Sequence, residues 1–331
     1  MTAAEADSTA PRAEGHAAPG SGGASPRGAL PPKRSDALSL LVVAAHLSFV
    51  LLPVYLAAAL GPSLWLLALW LWFGLSMHGV LNLMHEASHF HVFHARAASD
   101  RLGHWILGPL VASDFDVYRQ RHWDHHRFVG AENDTKDAYL LDVRGPREQL
   151  FFLRCVTLIE AVRKFTATRG VGTDATGAAA RRATGNHWIL RTALFQAVFL
   201  SSLVATAAAA RGSLDAHALL AAGLAWGFVY LYALLSLTLW IASLRTLAEH
   251  GPGDDGGEVC GRATLRNLRC GPVGRLLMGC WGFADHATHH RFPALPSYHL
   301  PAETARLGEE GHEEFRARTD YLHRVRYATG R

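Results

Sequence analysis

The chain has 331 residues, of which 50% are hydrophobic and only 18% charged, and its mean hydropathy is +0.08. A charged fraction below the usual quarter or so points to a membrane protein and away from a disordered or highly polar one. The formal charge of +4 is not gathered into a basic patch interleaved with aromatics, which argues against nucleic acid as a partner and suits a membrane surface.

Residues 1–35 are rich in Ala, Pro, Gly and Ser and read as a disordered tail. This polar stretch is too long to be the leading region of a signal peptide. Two apolar stretches follow, 37–60 and 63–84, separated by a Gly61-Pro62 turn. A run at 105–112 is too short to span and is placed at the interface. A second pair, 188–210 and 218–244, is divided by the sequence RGSLDAH. Each of the four long stretches can cross ~30 Å of hydrocarbon at ~1.5 Å per residue. The catalytic domain is expected over 36–310, with 311–331 a polar C-terminal tail.

Basic residues set the orientation. Lys33 and Arg34 precede the first span, Arg96, Arg101, Arg119, Arg121 and Arg127 follow the second, and Arg245, Arg262, Arg266 and Arg269 follow the fourth. The short connecting turns carry little beyond Arg211. The positive-inside rule then puts both termini and the middle segment in the cytoplasm. Four cysteines without C-x-x-C spacing read as reduced thiols. The expected fold is an all-α membrane protein, with four transmembrane helices and a cytoplasmic helical cap.

Chemistry resides in the histidines. His85-Glu86-Ala87-Ser88-His89 is H-E-x-x-H, a pattern that on a helix marks many zinc proteases. Beyond it lie two H-x-x-H-H triplets, His122, His125 and His126, then His286, His289 and His290. Helical spacing of i, i+3 and i+4 aims each set at one locus. With 20 histidines in 331 residues, chance predicts roughly 0.07 such triplets, so two are not accidental. A catalytic zinc needs only three protein ligands and would leave at least five of these histidines without a task. A two-metal iron site could use roughly eight or nine imidazoles.

The order H-E-x-x-H, H-x-x-H-H, H-x-x-H-H around two pairs of apolar stretches resembles the membrane fatty acid desaturases, a family of di-iron enzymes. The resemblance covers about 78–307 and is most specific in HEASH, HWDHHRFVGAENDTKD, RTLAEHG and HHRFPALPSYHLP. Ala284-Asp285 departs from the asparagine–aromatic pair that many relatives carry before the third box, which bears on substrate type. The resemblance implies two Fe ions held by the eight box histidines, O2 as co-substrate and abstraction of hydrogen from an unactivated C–H bond. It also implies a ninth ligand, His250, just past the fourth span. The reaction implied is desaturation of an acyl chain, with hydroxylation or ketolation as alternatives. The rival from another class is an intramembrane zinc metalloprotease. No haem, flavin or iron–sulfur motif is present in the sequence. A separate ferredoxin or cytochrome-type electron donor is therefore expected, with an acyl lipid and the bilayer as the other partners.

Metal-bound imidazoles usually donate their second N–H to a carboxylate or carbonyl. Glu86, Asp124, Asn133, Asp137, Glu249 and Asp285 are the candidate acceptors. Arg119, Arg121 and Arg127 could anchor lipid phosphates, dock an acidic donor or simply obey the positive-inside rule. His78, inside the second span, either lines a substrate channel or bonds a neighbouring carbonyl. His91, His94 and His104 are expected at the interface, and His299 is a candidate to orient a ligand or touch substrate.

Overall fold

The computed structural model describes residues 31–136, 150–171, 187–251, 253, 256–317 and 319–324. Helices dominate, and four are long and apolar enough to cross a membrane: Asp36–Leu60, Trp65–Ser88, His187–Arg211 and Ala216–His250. The first starts where Ser35 Oγ accepts the Leu38 N–H at 3.3 Å. It ends at Gly61, whose φ of 69° reverses the chain into the second.

Small residues let the spans approach closely. A Cβ on Gly74 would lie 2.6 Å from Leu237 Cδ2, and Thr238 Oγ1 donates to the Gly74 carbonyl at 3.2 Å. Gly79 admits the His46 ring in the same way. The buried core between the spans includes Val50, Val54, Phe73, Met77, Leu203 and Val229. Leu41, Leu67, Leu194 and Val198 point outward, as lipid-facing residues should.

The second and fourth spans outrun their expected ends. The second continues as helix to Ser88, and the fourth to His250 through two π-helical stretches, Ala225–Tyr232 and Leu234–Thr238. At 35 residues the fourth is roughly 50 Å long, well beyond the ~30 Å of hydrocarbon. Both helices therefore carry their histidines on rigid extensions.

Three boundaries differ from the sequence reading. The 105–112 run belongs to a helical path from Arg96–Leu102 through the π-turn Gly103–Leu107 to Gly108–Leu110. It does not simply float at the interface: the Leu110 carbonyl accepts from Tyr230 O–H at 2.8 Å, and that of Pro109 from Gln196 Nε2 at 3.1 Å. Residues 31–35 are packed rather than part of the tail, since Lys33 Nζ donates to the Phe90 and Phe93 carbonyls and Arg34 lies over the Tyr298 ring; residues 1–30 are outside the described residues.

The expected polar tail is also partly structural. Glu258–Cys260 (β1) pairs antiparallel with Ala263–Leu265 (β2), and Leu268–Arg269 (β3) pairs parallel with Thr319–Asp320 (β4). Tyr321 O–H donates to Glu249 Oε1 at 2.9 Å, and the buried Arg324 donates to the Gly251 carbonyl at 3.1 Å. This C-terminal segment therefore holds the residues on either side of His250.

Candidate metal centre

Four pieces of backbone bring the boxes together. His85 and His89 sit at the end of the second span. The helix Phe115–Phe128, capped by Asp114 through Asp116 N at 3.0 Å, carries His122, His125 and His126. His250 closes the fourth span, and the short helix His286–Arg291 carries the third box.

That last helix is aimed by the turn before it. Trp281 and Gly282 adopt left-handed φ angles of 55° and 78°. A Cβ on Gly282 would meet Leu300 Cδ1 and Ser297 Cβ at 2.8 Å. From the second span, His78 Nδ1 donates to the Leu277 carbonyl at 3.1 Å, and Asn82 Nδ2 donates to the Cys280 carbonyl at 3.1 Å. His78 thus takes the carbonyl-bonding option, and it helps seat the turn that leads into the third box.

The nine histidines converge in two groups. His85, His89, His122, His126 and His289 bring ligand-type nitrogens within 4.8 Å of one another, as do His125, His250 and His290; His286 joins His250 and Glu249 in an overlapping set. In the first group, Nε2–Nε2 separations are 2.7 Å for His89–His122, 3.0 Å for His122–His126 and 3.1 Å for His126–His289. In the second they are 3.0 Å for His125–His250, 2.9 Å for His250–His286 and 3.1 Å for His286–His290. Nitrogens bound at ~2.1 Å and at right angles on one cation stand about 3.0 Å apart.

The donor set fits a metal. Both ring nitrogens of His85 and Nδ1 of His89, His122 and His289 are buried without a hydrogen-bond partner. Buried polar atoms are rarely left so. Burial pushes His89, His122, His125, His126, His286, His289 and His290 well below the ordinary histidine range, with neighbouring positive charge adding to the effect. Neutral imidazoles with converging lone pairs are the form a cation binds.

Asp134 completes the arrangement. Its Oδ1 faces His125 Nδ1 at 2.8 Å within a fully buried pair. That contact puts the proton on Nδ1 and directs the Nε2 lone pair at the second group. Asp134 also accepts from the backbone N–H of Gly130 at 2.8 Å and of Lys136 at 3.0 Å. Sequence reasoning chose its neighbours instead. Asn133 is exposed on the turn, and Asp137 lies outside the described residues. The available signal was an Asx turn, an aspartate bonding the N–H two residues on.

The other proposed acceptors have different partners. Asp124 accepts from Gln120 Nε2 at 3.1 Å on an exposed face. Asp285 turns towards Arg275, with Nη1 at 3.8 Å. Glu249 is fully buried and binds Arg245 Nη1 at 2.5 Å as well as Tyr321. It lies beside His250, in the set that also includes His286. Glu86 accepts the Ser297 N–H at 3.1 Å and stands 3.7 Å from His85 Nδ1 and 4.0 Å from His91 Nδ1.

His91 is not interfacial: it is 6% exposed and stacks on His89 with centroids 5.4 Å apart. His94 is exposed and bonded to Asp36, and His104 stands 3.4 Å from Asp116. His299 Nε2 reaches the Pro32 carbonyl at 3.2 Å rather than the histidine groups. Arg119 pairs with Asp100 and lies over the rings of Phe90 and Phe115, so it is a packing residue more than a free anchor.

No curated protein matches the chain. The family described as Fatty acid desaturase matches residues 62–321, a stretch that takes in all nine histidines and ends at Tyr321, beyond the boundary expected from composition. With three of the four spans, every box and the C-terminal strand inside the match, the chain belongs to the fatty acid desaturase family.

Proposed function

We propose that this membrane protein is an O2-dependent di-iron oxidoreductase that desaturates an acyl chain. The observation that carries the reading is the division of nine imidazoles, eight buried and His126 half-buried, into two adjacent groups, five and four, both supplied by the second and third boxes. His85, His89, His122, His126 and His289 would hold one iron, and His125, His250, His286 and His290 the other. Iron bound there would supply O2 activation and hydrogen abstraction from an unactivated C–H bond.

The protein's part is to hold and exclude. Asp134 fixes the His125 tautomer, and Thr246 O, 3.2 Å from His250 Nδ1, does the same for His250. Phe283, edge-on to His85 at 4.6 Å and stacked on His286 at 5.3 Å, walls both groups from water. Electrons come from a separate ferredoxin or cytochrome-type donor. Both termini and the histidine groups lie on the cytoplasmic face, where such a donor docks. Hydroxylation and ketolation start from the same abstraction and remain the alternative outcomes, because placement of the chain decides between them.

Metal analysis of purified protein should find about two irons per chain. One zinc per chain would sink the proposal and revive the metalloprotease. Lipid mass spectrometry of a host expressing the protein, with and without His125→Ala, then reads the reaction. Loss of two hydrogens from an acyl chain supports desaturation, whereas gain of an oxygen means hydroxylation.

A further inference from the structure

The stretch between the second box and the third span carries no histidine of the site, yet its surface is unusual. Helices Phe151–Val156 and Ile159–Val171 are joined at Leu158, whose φ of 62° turns the chain back on itself. Over residues 150–165 most of the outward residues are apolar, with Thr157 and Arg163 the polar ones. Leu150 is 54% exposed, Phe152 46%, Leu153 54%, Ile159 51%, Val162 60% and Phe165 60%. Of the charges, Arg154 and Glu160 turn inward, whereas Arg163 is 56% exposed and reaches back to Glu160. Glu160, 4% exposed, accepts from Arg154 Nε at 3.2 Å and Arg163 Nη1 at 3.1 Å. Such a surface is inverted for a helix pair in water.

Its partner is the fourth span. Phe152 packs edge-on to Trp240 with centroids 5.0 Å apart. Lys164 Nζ reaches Ser243 Oγ at 3.1 Å, and Tyr232 O–H donates to the Val156 carbonyl at 2.9 Å. The level of these contacts can be read from the second span. Leu237 lies against Gly74. Gly74 stands roughly 14 Å along the helix from Trp65 and roughly 16 Å from His85, near the centre of a ~30 Å layer. Val156 is held by Tyr232, five residues further from the histidines than Leu237. The tip of the hairpin is therefore as deep as the middle of the spans.

We propose that Leu150–Phe165 is a re-entrant hairpin, inserted into bilayer hydrocarbon from the face that carries the histidines and stopped at mid-depth by Tyr232. Its occupant is lipid acyl chains. The exposed side chains continue the outward surface of the fourth span, where Leu235 is 36% exposed. Non-helical backbone survives at that depth only where protein satisfies it. The Tyr232 hydroxyl does this for Val156, as Thr157 Oγ1 does for the Leu153 carbonyl at 2.7 Å. Tyr230 treats the Leu110 carbonyl in the same manner at 2.8 Å. Arg154 and Arg163 share the one Glu160 carboxylate, and the surplus positive charge at Arg163 and Lys164 lies towards the histidine-bearing end, where Lys164 meets Ser243 and long side chains can snorkel to the interface. Entering and leaving by one face also keeps the four-span topology, on which this inference rests; it is independent of the iron chemistry.

The test uses the unmodified chain in phosphatidylcholine–phosphatidylglycerol vesicles containing a phospholipid with a diazirine at mid-chain. After photolysis, peptide mass spectrometry should find label in 150–165 at a yield within a few-fold of that in the third span around Val198. The segment around Glu313–Phe315 should carry none. In a background with Cys270 and Cys280 replaced by serine, nitroxides at Leu153→Cys and Val162→Cys should collide several-fold more with O2 than with a water-soluble nickel chelate. Unlabelled hairpin peptides, or nickel-dominated collisions at both sites, would overturn the proposal and identify a hairpin lying in water. Iron content and lipid products are unaffected by either result, so the two proposals fail separately.

Discussion

Asp134 is the residue on which the imidazole arrangement can be tested most sharply. Replacing it by alanine removes the carboxylate that accepts from two buried donors, His125 Nδ1–H and Gly130 N–H. At about 1–3 kcal/mol for each donor that loses it, the loss is about 2–6 kcal/mol, a large share of the ~5–15 kcal/mol that holds a typical domain. Asp134→Ala is thus at risk of failing to fold, and Asp134→Asn is the more informative variant. Its carboxamide keeps the volume and one acceptor oxygen but turns an N–H2 group towards a second donor. Removing an outer partner of a ligating histidine typically costs about 10–100-fold in metal affinity. The assay is iron retention against a graded series of chelator, measured by elemental analysis, with thermal unfolding in parallel. Asp134→Asn should release part of its iron at about 10-fold lower chelator or less, while Asn133→Ala, altered at an exposed side chain, should match the parent. Parental retention in Asp134→Asn together with loss in Asn133→Ala would refute the assignment of the His125 tautomer to Asp134.

His250→Ala should lower iron towards one per chain and abolish turnover while the protein stays folded in detergent, because three nitrogens of the second group meet at its Nε2. His94→Ala, altered at an exposed side chain bonded to Asp36, should do neither, and full iron in the His250 variant defeats the ninth-ligand assignment. In metal-stripped protein His122, His125, His126, His286, His289 and His290 have folded pKa values below their unfolded ones. The unfolded chain then binds more protons, so stability is full above about pH 6.5 and drains away as pH falls below it; equal denaturation midpoints on the two sides of that value would contradict neutral imidazoles. Gly130→Ala should fail to accumulate as folded protein, since φ is +72° and the new Cβ would stand 1.8 Å from the Cys260 carbonyl oxygen. Gly212→Ala is equally left-handed at +75° but has nothing within 4 Å, so it should cost only about 1–2 kcal/mol in an unfolding titration.

What could be read from the sequence followed helical periodicity. The four spans and the common aim of each histidine set are properties of one helix at a time, and hydropathy and i, i+3, i+4 spacing report them. The partition of a box between two groups is not such a property. His125 and His126 are adjacent, yet one meets His250 and the other meets His289, because helices from distant parts of the chain approach the two sides of Phe115–Phe128. Asp134 was missed for a related reason: a turn, not a helix period, brings it back to His125. Tyr321 and Arg324 were set aside as tail because their surroundings are polar in sequence. Only the pairing of Thr319–Asp320 with Leu268–Arg269 brings them beneath the fourth span. The length of the second and fourth helices was underestimated because hydropathy ends where the lipid ends, whereas backbone hydrogen bonding continues.

The sharing of one helix by two groups constrains how this protein can diverge. In Phe115–Phe128, His126 faces one group and His125 the other, and His289 and His290 divide in the same way. A single inserted or deleted residue inside either helix rotates everything beyond it by about 100° and misdirects imidazoles of both groups at once. Neither half can be retuned by drift in those helices while the other stays as it was. Heritable variation in reactivity is therefore channelled into other places: the turns between the boxes, the acceptors behind the imidazoles, and the walls along which a substrate lies. Descendants of this scaffold can change what they oxidise far more readily than they can change how the oxidising centre is assembled.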